Sequence, residues 1–162
     1  MSTEASARIF FSSPSFAVVG ASSNTAKFGH RVLAWYAARS LPVTPINPTA
    51  PEIAIPSLGG KSIPCLPSLS ALPDPAQTSV SVITPPPVTL QVLKEAKSLG
   101  IPAVWLQPGT FDDEVLAYAR EGEGSGAEGS FKSVVAGDGG RGGEGWCVLV
   151  DGERAMKAAG KL

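Results

Sequence analysis

The sequence is poor in histidine and cysteine. His30 is the only histidine among 162 residues, so a site built from several imidazoles is excluded. A Ser-His-Asp triad would have to use His30, and no G-x-S-x-G motif supplies its serine. Cys65 and Cys147 lie far apart, without the CxxC spacing of a zinc or redox site. Reduced structural thiols are favoured, with a disulfide or a reactive thiol as the alternatives.

Basic clusters and long apolar runs are also missing. The formal net charge is −1, from 13 Lys and Arg against 14 Asp and Glu, so nucleic acid is not expected as a partner. No apolar run approaches the roughly 18 residues that span a bilayer, and the N-terminal segment has no apolar signal core. We therefore expect no membrane partner and a cytoplasmic location, with the mitochondrial matrix as the alternative.

What the sequence does contain is an alternation of short apolar runs with helical patterns. Strands are predicted at residues 16–20, 41–47, 79–84 and 103–106. Helices are predicted at residues 28–39, 88–99 and 112–120. The two prolines within 41–47 indicate a short strand or one near the sheet edge. The pattern predicts a Rossmann-like α/β fold, doubly wound, with a mainly parallel five- to six-stranded sheet in three layers.

The remaining segments are less regular. Short elements are predicted at residues 53–55 (strand), 68–72 (helical turn) and 131–136 (strand). Residues 146–150 are predicted as the last strand and 156–162 as a short tail helix.

A glycine-rich segment interrupts the C-terminal part of the chain. Glycine takes 10 of the 25 positions from 121 to 145, which predicts a mobile loop. The expected organisation is an N-terminal extension over 1–12, followed by a single domain over 13–162.

Small, polar or rigid residues follow four predicted strands. Because the carboxyl ends of parallel strands meet at one edge of a sheet, ligands bind there. These strand ends are Gly20-Ala21-Ser22-Ser23-Asn24, Asn47-Pro48, Thr84-Pro85-Pro86 and Gln107-Pro108-Gly109. None of them supplies a carboxylate.

The first of these strand ends has the features of a phosphate site. Gly20 lets the backbone turn closely, and Ser22 and Ser23 offer hydroxyl donors beside exposed amides. The N-terminus of a helix follows, which suits a pyrophosphate, and Lys27 and Arg31 could add cationic contacts. We predict a phosphate-bearing nucleotide cofactor here; an ordinary polar turn is the alternative.

The glycine pattern argues against NAD. The dinucleotide fingerprint G-x-G-x-x-G would place glycines where Ser22 and Thr25 stand. Its acidic residue, about 20 positions further on, is replaced by Asn47-Pro48 at the end of the second strand. Both diagnostic features are missing, so NAD is disfavoured.

Four motifs in order resemble a known family. The stretch VVGASSNTAKFGHRVLAWY, followed by INP, ITPPP and VWLQPG, resembles the CoA-binding domain family. Its members include stand-alone relatives of the domain in the α subunit of succinyl-CoA synthetase. The likeness covers about residues 13–120 and resumes at 146–151. It implies coenzyme A, or an acyl-CoA, lying across the carboxyl edge of the sheet.

The resemblance also implies roles for individual residues. The phosphates would be held by Gly20, Ala21, Ser22 and Lys27, and the adenosine end would lie by Asn47 and Pro48. The remaining groove would be lined by Thr84, Pro85, Pro86, Gln107, Pro108 and Gly109.

Two departures from the family stand out. The synthetase uses a phosphorylated histidine in a later domain and a partner subunit, whereas His30 falls in the first predicted helix of the domain. The glycine-rich segment is longer than the family's usual connection. It could act as a flap over the ligand, but a tolerated surface insertion is favoured.

Three functions remain open at this point. The first is non-catalytic binding of CoA or an acyl-CoA. The second is an enzyme: a small NAD(P)-dependent oxidoreductase, for which Tyr36 and Tyr118 are poorly placed in helices, or a CoA-dependent acyl-transfer enzyme using Cys147 or Cys65. Cys147 is expected to open a strand and to belong to the core. The third is a scaffold, with a homodimer or an unidentified protein partner as possibilities. No complete catalytic constellation is present, so binding is favoured.

Overall fold

A five-stranded parallel sheet forms the centre of the computed structural model, which describes residues 2–137 and 145–161. The strands are β1 (Ser15–Val19), β2 (Val43–Ile46), β3 (Glu52–Ile55), β4 (Lys61–Pro64), β5 (Thr78–Val82), β6 (Ala103–Leu106) and β7 (Ser133–Val135). The large sheet has the order β2-β1-β5-β6-β7, and β3 and β4 form a separate antiparallel pair.

Helices cover both faces of this sheet. They are α1 (Thr3–Phe10), α2 (Phe28–Ala38), α3 (Pro86–Ser98), α4 (Asp113–Arg120) and α5 (Val148–Ala158). Residues of α1, α2 and α5 share one buried cluster with one face of the sheet, and residues of α3 and α4 share another with the opposite face. The prediction of a three-layered Rossmann-like α/β fold is confirmed.

The alternation of side chains along each strand produces these two clusters. In β1, Phe16 and Val18 belong to the cluster with α1, α2 and α5, whereas Ala17 and Val19 belong to the other. Both faces of the sheet are therefore buried from solvent, which explains why the strands are continuous apolar runs in the sequence.

Most elements lie where the sequence predicts them. The strand with two prolines became β2, which has four residues and stands at the edge of the sheet. The short strand predicted at 53–55 is β3, the turn at 68–72 contains a 3-10 helix, and the strand at 131–136 is β7.

The prediction for the C-terminal segment is wrong. Residues 146–150 do not form the last strand, because α5 begins at Val148 and continues to Ala158. The predicted tail helix 156–162 is only the end of α5, and Leu162 lies outside the described residues. Of the expected mobile loop, 138–144 also lie outside them. The part over 121–130 folds into hydrogen-bonded turns, such as Ser125 Oγ donating to the carbonyl of Gly122.

Residues 1–12, expected to be an extension of the domain, contain a helix that packs into the core. Phe10 and Phe11 of this segment are fully buried. The Phe10 ring centroid lies 5.5 Å from that of Trp105, edge to face, and 5.7 Å from that of Phe16. The N-terminal helix therefore covers the sheet beside β6 and β7.

Side chains occupy the outer edge of β7. The amide of Val134 donates to Glu123 Oε2 at 2.6 Å, and the carbonyls of Val134 and Ala136 accept from Arg120 at 3.4 and 3.3 Å. Arg120 and Glu123 form an ion pair of 3.0 Å with each other. At the opposite edge, the carbonyl of Pro45 accepts from the amide of Leu66.

Candidate functional site

The candidate site lies at two adjacent strands, β1 and β5. The connections that follow them run towards opposite sides of the sheet. From β1 the chain passes to β2 on one side, and β5, the other neighbour of β1, leads on to β6 and β7. In open α/β sheets this reversal of strand order creates a crevice at the carboxyl edge. Gly20 follows β1 and Thr84 follows β5, and a Cβ built on Gly20 would lie 3.3 Å from Thr84 Cγ2. The first and third predicted strand ends therefore meet.

Two glycines make the turn after β1 possible. Gly20 has φ +91°, in the left-handed region, and a Cβ there would collide with the carbonyl of Ile83. Gly29, in the first turn of α2, has no room for a Cβ because the backbone carbonyl of Gly20 occupies that position. Gly29 was not among the predicted site residues. It allows close packing of the helix on the strand, as the third glycine of the fingerprint does in dinucleotide-binding folds.

The loop between β1 and α2 is exposed but ordered by its own polar groups. Ser22 Oγ accepts from the amide of Asn24 at 3.1 Å, and Asn24 Oδ1 accepts from the amide of Ala26 at 3.0 Å. Ser23 and Lys27 are exposed to solvent. Among the described residues, Lys27 forms no ion pair.

The His30 side chain holds this loop in place through a hydrogen bond to its backbone. The imidazole is buried, and its Nδ1 lies 2.9 Å from the backbone carbonyl of Ser22. A neutral ring protonated on Nδ1 would donate this bond. The only histidine of the chain thus has a positioning role at the predicted phosphate loop, which the sequence did not reveal because the contact spans eight residues.

The N-terminus of α2 keeps its amide groups bare. No side chain caps this helix, and its first turn contains no acidic residue. The first amides that bond within the helix are those of His30 and Arg31, which donate to the carbonyl of Lys27. Among the described residues the amides of Phe28 and Gly29 have no hydrogen-bond partner, and the positive end of the helix dipole adds to them.

The other helices that begin at this edge of the sheet are less suited to an anion, because prolines replace their first amides or carboxylates lie in their first turn. Pro85, Pro86 and Pro87 precede or open α3 and carry no N–H, and the next amide, of Val88, bonds to the carbonyl of Pro85. In α4, Asp112 caps the helix and further acidic residues follow. In α5, Asp151 Oδ2 accepts from the amide of Cys147 at 3.1 Å. Among the helices described at this edge, α2 alone combines free first-turn amides with the absence of an acidic residue, which suits an anion.

The Asn47 side chain connects the end of β2 with the loop after β1. Its Nδ2 donates to the carbonyl of Ala21 at 3.1 Å, and its Oδ1 accepts from the amides of Thr49 and Ala50. With Pro48 it borders a smaller cavity of about 280 Å³ between the carboxyl ends of β1 and β2 and the start of α3. The Asn47 Oδ1 is therefore engaged within the protein, whereas its Nδ2 retains a second N–H that a ligand could use.

A larger cavity of about 540 Å³ lies beyond Thr84. It is bordered by the start of α2, the ends of β5 and β6 and the N-terminus of α5. Its lining includes Thr84, Pro85, Gln107, Pro108 and Gly109, all of them predicted site residues. Thr84 borders both cavities, so the two form one groove along the carboxyl edge.

Cys147 lies at the wall of the larger cavity, not inside a buried strand as predicted. It is the N-cap residue of α5 and half-buried, and its Sγ accepts from Gln107 Nε2 at 3.2 Å. Gln107 Oε1 in turn accepts from the amide of Val148 at 2.8 Å. The Gln107 amide therefore ties the end of β6 to the start of α5. The position of Cys147 differs from the prediction because residues 148–150 begin α5 and do not form a strand.

The remaining nucleophile and proton-donor candidates lie away from the groove. Cys65 borders neither cavity, and burial, together with the nearby charge of Glu52, raises the pKa of its thiol. Tyr36 is fully buried, with its hydroxyl 2.7 Å from Ser81 Oγ, and burial raises its pKa far above the ordinary value.

The described part of the chain contains neither a cluster of metal-ligating side chains nor a membrane-spanning helix. No cluster of three or more His, Cys, Asp or Glu side chains there could hold a metal ion. No helix within residues 2–137 and 145–161 is long and apolar enough to cross a membrane.

Comparison with known proteins places this groove in context. No curated protein matches the chain. A conserved hypothetical protein from Pyrococcus furiosus is 29% identical, with a TM-score of 0.62, covering 85% of this chain and 97% of its own. A hypothetical protein from Pyrococcus horikoshii OT3 is 22% identical, with a TM-score of 0.71, covering 96% of this chain and 93% of its own. A structure from Thermus thermophilus is 24% identical, with a TM-score of 0.69, covering 96% of this chain and 99% of its own.

The fold of these structures agrees with the parallel sheet described above, and the family assignment comes from the sequence. The model of the CoA binding domain matches residues 14–129, which include the loop after β1, the smaller cavity and most of the larger one. The resemblance noted in the sequence is thereby confirmed, and the chain belongs to the CoA binding domain family.

Proposed function

We propose that this protein binds coenzyme A or an acyl-CoA along the carboxyl edge of its sheet and does not itself catalyse a reaction. The observation that carries the proposal is the bare N-terminus of α2 at the point where strand order reverses, in a chain of the CoA binding domain family. A diphosphate is the part of CoA that this feature suits.

The residues present fit a bound diphosphate. Gly20 and Gly29 allow the turn after β1 and the start of α2 to pack directly on neighbouring backbone, since a Cβ at either position would collide with a carbonyl. Among the described residues the amides of Phe28 and Gly29 have no hydrogen-bond partner, and Lys27 stands beside them with no ion pair. Ala21, Ser22 and Ser23 form the outer turn of the loop. Two phosphate charges would thus meet donors and a cation, and among the described residues no carboxylate borders the larger cavity.

The two cavities give room for the rest of the cofactor on either side of the diphosphate. The adenosine end would lie in the smaller cavity, by Asn47 and Pro48. The pantetheine arm would pass Thr84 into the larger cavity, along Pro85, Pro108 and Gly109. Gln107 would support this wall through its bonds to Cys147 and Val148 rather than contact the ligand with its amide. Pro86 would act by removing an amide donor from α3.

The same groove supports an NAD(P)-dependent oxidoreductase less well. A reductase needs a proton donor beside the nicotinamide. The hydroxyl of Tyr36 is buried against Ser81, and Tyr118 packs with Lys97 on the α4 side of the sheet. Neither tyrosine borders the two cavities of the groove.

An acyl-transfer enzyme would have to use Cys147, the thiol at the larger cavity. Such a thiol needs a base, a nearby cation or a helix N-terminus to become a thiolate. Cys147 does stand at the N-terminus of α5, but its amide there already donates to the carboxylate of Asp151. Its side-chain partner is the amide of Gln107, which donates to sulfur and cannot take a proton. Binding without catalysis accounts for the described residues with fewer additional groups.

The first test is a thermal-shift titration with CoA, acetyl-CoA, NAD and NADP. A ligand at one hundred times its Kd adds about 2.7 kcal/mol to the free energy of unfolding, a readily visible shift. We expect this rise with CoA and acetyl-CoA, and we expect Ser22→Asp to abolish it, because a carboxylate in the loop would repel the diphosphate.

Ser62→Asp is the matched control, since it adds the same charge at an exposed position of β4, near the amino end of β2. It should respond to CoA as the wild type does. A rise with NAD or NADP alone would overturn the proposal in favour of the oxidoreductase, and no shift with any ligand would favour a scaffold.

A second prediction concerns the two cysteines. Acetyl-CoA carries no free thiol, so it can be present during alkylation with iodoacetamide. At ten times its Kd it should slow modification of Cys147 about tenfold, since only the free protein exposes the cavity wall. Cys65, outside the groove, should react at an unchanged and slow rate because its thiol pKa is raised.

Peptide mass spectrometry reads the two sites separately in the same sample. Equal protection of both cysteines would indicate a general tightening of the fold, and no protection of Cys147 would show that the arm of the ligand does not enter the larger cavity.

A further inference from the structure

We propose that the far part of the larger cavity is an acyl subsite that selects acyl-CoA thioesters with a short, uncharged, apolar acyl group over free CoA and over dicarboxylic acyl-CoA. The inference rests on the proposed function and specifies the ligand class of that same groove.

Exposed apolar side chains converge on this groove. The large hydrophobic residues exposed among the described residues are Phe28 (48%), Val88 (47%) and Val150 (50%). Single exposed apolar residues are ordinary and need no explanation. Here, however, each of the three borders one of the two cavities, Phe28 and Val150 the larger and Val88 the smaller. Apolar surface gathered in a concave site indicates a ligand that covers it.

Phe28 and Val150 approach the larger cavity from different elements. Phe28 is the first residue of α2, and Val150 lies in the first turn of α5. Between them, Ile83, Pro85 and Pro108 complete the apolar part of the wall. The pantetheine arm carries two amides and has little use for such a wall, whereas a hydrocarbon chain on its sulfur would bury it.

Charge decides between acyl groups. Among the described residues, the lining of the larger cavity contains no Lys, Arg, Asp or Glu. Arg31 stacks on the Phe28 ring, 5.0 Å from its centroid, and borders a different cavity with His30 and Trp35. A second carboxylate, as in a succinyl group, would be desolvated there without a cationic partner among the described lining residues. A neutral acyl group avoids this cost.

Continuity with the phosphate site places this subsite on the path of the cofactor. Phe28 directly follows Lys27, and its own amide is one of the bare donors of α2. Thr84 joins the larger cavity to the smaller one. A ligand held by its diphosphate at α2 therefore has its arm and acyl group at the larger cavity.

Affinity ratios measured by isothermal titration test the proposal. The ligands are CoA, acetyl-CoA, butyryl-CoA and succinyl-CoA. A buried methylene is worth about a fourfold gain in affinity, so butyryl-CoA, with two more methylenes, should bind about fifteenfold more tightly than acetyl-CoA. Succinyl-CoA should bind more weakly than butyryl-CoA by at least about tenfold.

Phe28→Ala and Val150→Ala should each lower the butyryl-to-acetyl ratio towards one. Val88→Ala, a truncation of similar exposure at the smaller cavity, should leave that ratio unchanged whatever it does to affinity as a whole. Because all three side chains are half exposed, the variants should fold, and their melting temperatures without ligand check this.

Three outcomes are distinguishable. A butyryl preference that is lost in Phe28→Ala and Val150→Ala but kept in Val88→Ala supports the acyl subsite. Equal affinities for the four ligands, or a preference that Val88→Ala removes equally well, overturns the subsite while leaving CoA binding in place. Binding of none of them overturns the proposed function and the subsite together.

Discussion

Replacing Gly29 by alanine should lower the free energy of unfolding by about 3 kcal/mol, the upper range of an overpacked core site. Helix propensity alone predicts the opposite sign, since alanine is better than glycine inside a helix by about 1 kcal/mol. Packing decides here. The new Cβ would collide with the carbonyl oxygen of Gly20 and lie 2.9 Å from its carbonyl carbon, and neither atom can move without displacing the turn after β1.

Urea denaturation monitored by tryptophan fluorescence measures this loss. Ala38→Gly, an exposed position in the last turn of the same helix, is the matched control. It should cost about 1 kcal/mol or less. A Gly29→Ala variant as stable as the wild type, or more stable, would show that the approach of α2 to β1 is looser than described. CoA binding by the variant should also fall, because the same turn forms the proposed phosphate loop.

Replacing Phe10 by alanine should destabilise the protein by about 3–5 kcal/mol, the usual range for a buried phenylalanine. Its ring is fully buried, within 5.1–5.7 Å of the ring centroids of Phe11, Phe16 and Trp105. The cavity left behind would lie between α1 and the sheet, where large rigid rings cannot collapse to fill it.

Arg8→Ala, on the exposed side of the same helix, is the control and should change stability by no more than about 0.5 kcal/mol. Equal stabilities of the two variants in chemical denaturation would mean that α1 is not part of the cooperative core.

The alternation of strands and helices was predictable because it rests on local patterns. In β1, β5 and β6 every residue is buried except the first of β1, so each strand is a short apolar or small-residue run bounded by turn residues. Such runs lead directly to a parallel sheet. The strand ends that meet at the carboxyl edge follow from the same topology, which is why the predicted site residues fall along one groove.

α5 could not be predicted in this way. A short apolar run such as WCVLV fits a buried strand and a buried helix equally well by periodicity. The buried stripe of α5 consists of Val148, Asp151, Gly152, Ala155 and Met156, at true helical spacing. Two of its members are a carboxylate and a glycine, which conceal the stripe. Gly152 is there because a Cβ would strike the Trp35 ring, and that contact exists only in the folded chain.

α1 was missed for a different reason. Its sequence does carry a signal, with Ser2 as the N-cap and Ala7, Phe10 and Phe11 along one face. Eight residues are too few for a helix to be stable alone, so tertiary packing on Trp105 decides its existence.

Within the candidate site, the contacts that could not be predicted from the sequence join different elements. Gly29 contacts Gly20, His30 contacts Ser22, and Cys147 contacts Gln107 forty positions away. No local pattern encodes such contacts. The strand-end residues were accessible to sequence analysis because their role depends on position along the strand alone.

The side chains that occupy the rims of the sheet have a consequence for behaviour at high concentration. A parallel sheet with open edges is a template for pairing with further chains, the first step towards fibrils. The ion pair of Arg120 and Glu123 already satisfies the outward amide and carbonyl of β7, and Leu66 occupies the carbonyl of Pro45 at the other rim. Edge-to-edge aggregation would first have to break these bonds, so the native protein should resist it until the segments carrying them unfold.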